Sequence, residues 1–416
     1  MALSTKMGSF NTGTGTSDIV VSDVGFTPKA IIFYWSGTTT AGDEEGSATI
    51  NMGVGFTVGV GDSINLGYRD LDNASSTRTG MYNGVGASVL SELGEGPAHF
   101  LTGSASLKSF DSGAGFTIQI DNAFVGSRRI QYIALGGDSL LAEIVTFTDA
   151  LGTGSLDVAT SFDPTGIIVL PSNWGSSGGS GGLPWGLGFS DGTNTVVTRM
   201  SGQNAVAAEN VFRYGYGGGD LWAIGNGYNT FNIRGSLTSF GTNKFTVNVL
   251  SKVVGARYMH TLVLGGIDVK VGDFTTFTDT SNHSITGTGF TPDVVLFNSH
   301  GTTESTVNTL QDGTEYSFGG AISSTERAAI AGSSVDGADP TEVYRATEED
   351  QIYIHPDLSD SHDGLMDLVS MDSDGFTVVM DDADPSANFI GWMALGEVGG
   401  DEVTPPQPNL LLMGAG

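Results

Sequence analysis

Two histidines and three aspartates fall within nine residues, His355 to Asp363 (HPDLSDSHD), a mixture that suits metal binding because imidazole ligates transition ions and carboxylate ligates hard cations. The calcium-loop order of Asp, Asp/Asn, Gly and a closing Glu is missing. The segment therefore reads as a solvated acidic loop, and no metal is expected. Adjacent acids such as Glu348 and Glu349, or Asp381 and Asp382, have the chemistry of a sugar-hydrolysing pair, which needs two carboxyls roughly 5–10 Å apart across a cleft. With 46 acidic residues in the chain such neighbours arise from composition alone, and they read as solvated turns. The run Gly175 to Gly182 (GSSGGSGG) contains Gly-x-Ser-x-Gly around Ser177 and again around Ser180. A nucleophile elbow needs a strand before it and a helix after it, whereas this run leads into Leu183-Pro184-Trp185, so a flexible loop is the better reading. No catalytic residue and no cofactor are assigned.

The aromatics Trp174, Trp185, Tyr214, Tyr216 and Trp222 flank glycine-rich segments. Flat rings beside such segments stack on sugars or anchor a protein partner. Packing accounts for most of the five, and one or two are expected at the surface as a ligand-binding set.

The elements that must position these residues come from a repeat. VGFTPKAIIF (Val24 to Phe33) returns as FDPTGIIVL (Phe162 to Leu170) and TGFTPDVVLF (Thr288 to Phe297). A second anchor reads GFTIQI from Gly115, KFTVNVL from Lys244 and GFTVVM from Gly375. A third closes on LGG at Gly137, LGG at Gly266 and LGE at Glu397. Phe116 to Gly136, Phe245 to Gly265 and Phe376 to Gly396 are each 20 residues apart, a constancy expected of a two-strand unit and not of drifting loops. SFDSGAGFT, SFGTNKFT and SMDSDGFT read as hairpins. MGVGF, GLGF and YSFGG, beginning at Met52, Gly186 and Tyr316, put glycines inside strands, where they mark bulges or a close backbone approach. Ala30 to Trp35 is apolar on both faces, so it is either a central strand covered on both sides or is buried by a neighbour.

Composition agrees. Of 416 residues 63 are glycine, and Thr, Val, Ile and Phe recur in short runs with few helix-forming stretches. The expected fold is all-β, with three tandem antiparallel β-sandwich domains of the jelly-roll or lectin-like kind. Their bounds are 1–138, 139–266 and 267–400, with a proline-stiffened tail, 401–416, ending in NLLLMGAG as a candidate docking peptide. The 39% hydrophobic content supports a folded chain, and the absence of cysteine excludes disulfides and thiolate chemistry. A net charge of −30 argues against nucleic acid and anionic membrane as partners; residues from Ile267 onward carry 26 acids and 3 bases, so the third repeat holds most of it. The start MALSTKMGSF has no basic, apolar leader and no stretch approaches a bilayer span, so a soluble product made in the cytoplasm is expected, with no membrane insertion.

Blocks that open on Gly-Phe-x-Pro, contain Phe-Asp-Ser-x-Gly-Phe-Thr and close on Tyr-x-Ala-Leu-Gly-Gly resemble the concanavalin-like or sandwich repeats of tailed-bacteriophage structural proteins. The matching residues are Gly25, Phe26 and Pro28; Phe110 to Ser112 with Gly115 to Thr117; and Tyr132 with Ala134 to Gly137. In the third copy they are Gly289, Phe290, Pro292, Gly375 to Thr377 and Trp392 to Gly396. The second copy departs from the pattern with Phe162-Asp163-Pro164. The resemblance implies a non-enzymatic virion component of tail, fibre or particle surface, assembled with other virion subunits as a homo-oligomer, a trimer by preference. Host-surface glycan adhesion is the first functional expectation. Capsid decoration is the alternative, and an unrecognised carbohydrate-active enzyme the second.

Overall fold

A computed structural model describes residues 3–46, 49–94, 100–149, 152–172, 177–182, 185–225, 231–252, 256–301, 303, 311–357 and 361–398. The fold is all-β and antiparallel. One strand order recurs three times, in a seven-stranded sheet backed by a four-stranded one. In the first sheet the order is Ser4–Asn11, Arg129–Gly136, Ala30–Trp35, Ile50–Gly59, Asp62–Asp70, Gly80–Gly86 and then Gly178–Gly181. Its four-stranded partner runs Ile19–Val21, Gly115–Asn122, Leu101–Asp111, Ser88–Leu93.

The last strand of each seven-stranded sheet comes from a different sequence repeat. Gly178–Gly181, from the second repeat, pairs with Gly80–Gly86 of the first. Gln311–Asp312, from the third, pairs with Val211–Tyr216 of the second, and Asp43–Gly46, from the first, pairs with Val343–Glu348 of the third. The exchange is cyclic and closes the chain into a pseudo-three-fold ring.

Three loops repeat the closure. The amide N–H of Asn73 donates to the Thr341 carbonyl at 2.8 Å, that of Ala205 to Thr77 at 2.9 Å and that of Gly337 to Glu209 at 2.8 Å. In return Thr77 donates to Val206, Glu209 to Ala338 and Thr341 to Ala74 at 2.9, 2.9 and 3.0 Å. Asn73, Ala205 and Gly337 all take left-handed backbone, with φ of 50°, 62° and 77°. Only glycine adopts that region freely, so Ala205 is held there by the interlock.

Burial follows from this arrangement. On Ala30–Trp35, Ile31, Phe33 and Trp35 enter the first sandwich core with Phe116 and Tyr132, while Ala30, Ile32 and Tyr34 enter a central core shared by all three repeats. The strand is thus covered on both faces, once by its own four-stranded sheet and once by its neighbours. In the central core the Tyr34 ring meets Phe318 edge-on at 5.1 Å and its hydroxyl donates to the Ala328 carbonyl at 3.2 Å. Outside it, the second-anchor phenylalanines anchor three equivalent sandwich cores: Phe116 on Phe33, Phe245 on Phe147 and Phe376 on Phe297, at 5.8, 5.8 and 5.6 Å.

Candidate functional site

Strand pairing positions the aromatics singled out in the sequence. Trp185 begins strand Trp185–Ser190 and is fully buried in the central core, edge-on to Tyr316 at 4.1 Å, with its indole N–H 3.5 Å from the Leu66 carbonyl. Trp222 is fully buried in the second sandwich core, packed at 5.5 Å against Phe147. Tyr214 is buried too, its hydroxyl donating to Asp220 at 3.3 Å, and half-buried Tyr216 lies beside it at 6.0 Å. The faces of Trp185, Tyr214 and Trp222 that a sugar would need are occupied by protein, which corrects their reading as loop aromatics. Trp174 lies outside the described residues, as does part of the Gly175–Gly182 run; Gly178–Gly181 is the exchanged strand.

The acidic segment also differs from expectation at its first residue. His355 sits in strand Tyr353–Pro356 and is only 6% exposed, while 358–360 lie outside the described residues. Its Nδ1 is 2.9 Å from the Asp384 carboxylate and its Nε2 is 3.1 Å from the Glu315 carboxylate; Glu315 in turn pairs with Arg213 of the second repeat. Two cations alternate with two carboxylates across the junction of repeats two and three. Among the described residues no three acidic or imidazole groups are placed to hold a metal.

Burial alone would lower the His355 pKa, but its bonds to Asp384 and Glu315 outweigh burial and raise it to about 9, with Asp363 also nearby. A folded pKa above the unfolded value of 6.5 adds stability that is complete below about pH 6.5 and is lost as pH rises through 9. His355→Gln is therefore expected to be less stable than the parent by about 3 kcal/mol at pH 6, with the gap closing by pH 10. Denaturant titrations of both proteins across that range measure it; a gap that does not vary with pH would mean a neutral imidazole.

Two edge strands, Leu141–Thr148 and Gly154–Ala159, border a groove of about 540 Å³ lined by Ile144, Phe147, Leu156 and Val158. Each is the outermost strand of its sheet, so the groove combines apolar side chains with strand edges that no neighbouring strand pairs among the described residues. The sequence marked neither strand as a surface: Leu141, Ala142, Ile144, Val145 and Phe147 show no alternation that would set one face apart, and Leu156 and Val158 alternate as in any half-buried strand.

No protein-family model matches the chain, and no curated protein matches it in sequence.

Proposed function

We propose that this chain is a structural protein of a tailed-phage particle, exposed on tail, fibre or head, and that it acts as a single-chain trimer. On this reading each repeat is a lectin-like sandwich, and one chain supplies a three-fold arrangement where the resemblance implies a homo-oligomer of separate chains, a trimer by preference. The observation that carries the reading is the cyclic strand exchange around a common core: three similar units are locked into one rigid block with three related outer surfaces. Such a block suits a mount of three-fold symmetry, since matched symmetry lets each unit make the same contact. The groove beside Leu141–Thr148 is the surface favoured for host glycan.

A density map of the purified particle, with antibody labelling, tests the proposal. The ring is expected at a three-fold position at a fibre tip or tail; a position on the head would select decoration instead. Absence from the particle, or cleavage of a polysaccharide by the purified protein, would overturn the structural role.

A further inference from the structure

The strand exchange makes a junction between each pair of repeats, and two of these junctions differ in charge. Where the second repeat meets the third, Arg213 comes from the strand beside the exchanged one and pairs with Glu315, which also holds His355. Where the third meets the first, Arg345 comes from the equivalent strand. Asn51 there takes the place of Glu315, each lying four residues before the glycine that the four-stranded sheet crosses, Gly55 or Gly319. Directly across the ladder Arg69 replaces Ser333, and three residues beyond the crossing carbonyl Glu92 replaces His355.

A cavity of about 120 Å³ opens at this junction, lined by Arg69, Arg128, Arg345, Glu92, Asn51 and Thr102 among others. Main chain steers each guanidinium: fully buried Arg69 donates to the Gly94 carbonyl, Arg345 to that of Thr49 at 2.7 Å and Arg128 to that of Gly37 at 2.9 Å. Arg128 also pairs with Glu92 at 2.6 Å. The Asn51 amide is committed to Leu93, donating to its carbonyl at 3.0 Å and accepting its N–H at 3.1 Å. Among the described residues three guanidiniums and one carboxylate thus surround the space, a balance that favours an anion, and the planar guanidinium matches a carboxylate in a two-point contact. At the mouth Val125 is 75% exposed, and Phe100, 52% exposed, lays its ring over Gly94 of the lining. An exposed ring beside a charged pocket gives the flat side of a sugar an apolar surface.

We propose that this cavity binds an acidic sugar, with its carboxylate among Arg69, Arg128 and Arg345 and its ring against Phe100. The site belongs to the first and third repeats and is separate from the groove of the second. It rests on the adhesion reading and deepens it by naming the charge of the glycan. The net charge of −30 keeps anions off the rest of the surface, so binding at one cationic cavity stands out.

The test is ligand titration of the full chain at pH 7, followed by saturation-transfer NMR, with methyl glucuronide and methyl glucoside as probes. The glucuronide should bind and the neutral glucoside should bind at least about tenfold more weakly; Arg345→Gln should weaken the glucuronide by about tenfold or more. Arg345 is nearly buried, so two surface variants guard against misfolding. Val125→Asp sets a carboxylate at the mouth and should abolish binding, and Phe100→Ala should weaken it about 3–10-fold, both at the parent's melting temperature. Equal affinity for the two glycosides, acetate binding as tightly as the glucuronide, unchanged affinity in both surface variants, or no binding at all would overturn the proposal. The purified chain serves for this assay, so its failure beside a ring found at a fibre tip or tail would remove this ligand and leave the adhesion reading standing.

Discussion

Gly188→Ala is expected to destabilise the protein by on the order of 3–5 kcal/mol, although it adds one methyl group. A Cβ on Gly188 would lie 1.9 Å from the carbonyl oxygen of Leu221. Leu221 belongs to Asp220–Gly225, the outer strand of the four-stranded sheet, which here crosses directly over the seven-stranded one. The obstacle is main chain, so no rotamer change relieves it and the two sheets must part. The same crossing recurs at Gly55 under the Val89 carbonyl and at Gly319 under the Ile352 carbonyl, both at 2.1 Å. Gly59→Ala is the control, since nothing lies within 4 Å of its added carbon. It should be neutral or slightly stabilising, because alanine restricts the unfolded chain. Denaturant midpoints measure both, and equal effects would mean that the sheets do not approach this closely.

Those three glycines were legible as a type. Glycine inside MGVGF, GLGF and YSFGG signalled close backbone approach, and that is the role Gly55, Gly188 and Gly319 have. The fixed spacing of the second and third anchors was legible too: Gly115–Asn122 with Arg129–Gly136, Lys244–Ser251 with Tyr258–Gly265, and Gly375–Asp382 with Phe389–Gly396 are consecutive strands of the same length, joined by connections of the same length. Gly136, Gly265 and Gly396 face the rings of Phe26, Phe162 and Phe290, each within 2.6 Å of where a Cβ would stand. The opening phenylalanine thus occupies the space that the closing glycine leaves in all three repeats.

The exchange itself was hidden. GGSG at Gly178 and QD at Gln311 have no apolar alternation, because they pair through main chain at a sheet edge, and pairing of that kind leaves no side-chain pattern. The same glycines misdirected the reading of Trp185 and Trp222, whose neighbours looked like loop. Gly186 and Gly188 are strand residues beside Trp185, and Gly235 is bare because the Trp222 ring fills its side-chain space. Arg69, Arg128 and Arg345 carried no signal at all until the exchange set a strand of the third repeat beside the first.

The other large effect concerns the unit of folding. A chain cut to residues 1–138 is expected not to fold as a monomer. Ile32, Tyr34, Ile50, Met52, Val54 and Phe56 face the central core and are fully buried only because the other two repeats cover them. Exposing six such side chains, at about 1.5–3 kcal/mol each, costs about 10 kcal/mol or more, comparable with the whole stability of a typical domain. The cut also strips Gly178–Gly181 from the edge of its sheet and leaves its own Asp43–Gly46 without Val343–Glu348. Two results agree with this account: an unfolded or aggregated fragment, or a homotrimer that rebuilds the ring from three copies and dissociates on dilution. Sedimentation and circular dichroism over a range of concentrations separate them. A fragment that stays monomeric and unfolds cooperatively would show that the sandwich core around Phe33, Phe116 and Tyr132 suffices alone, and that the ring adds rigidity to units already stable.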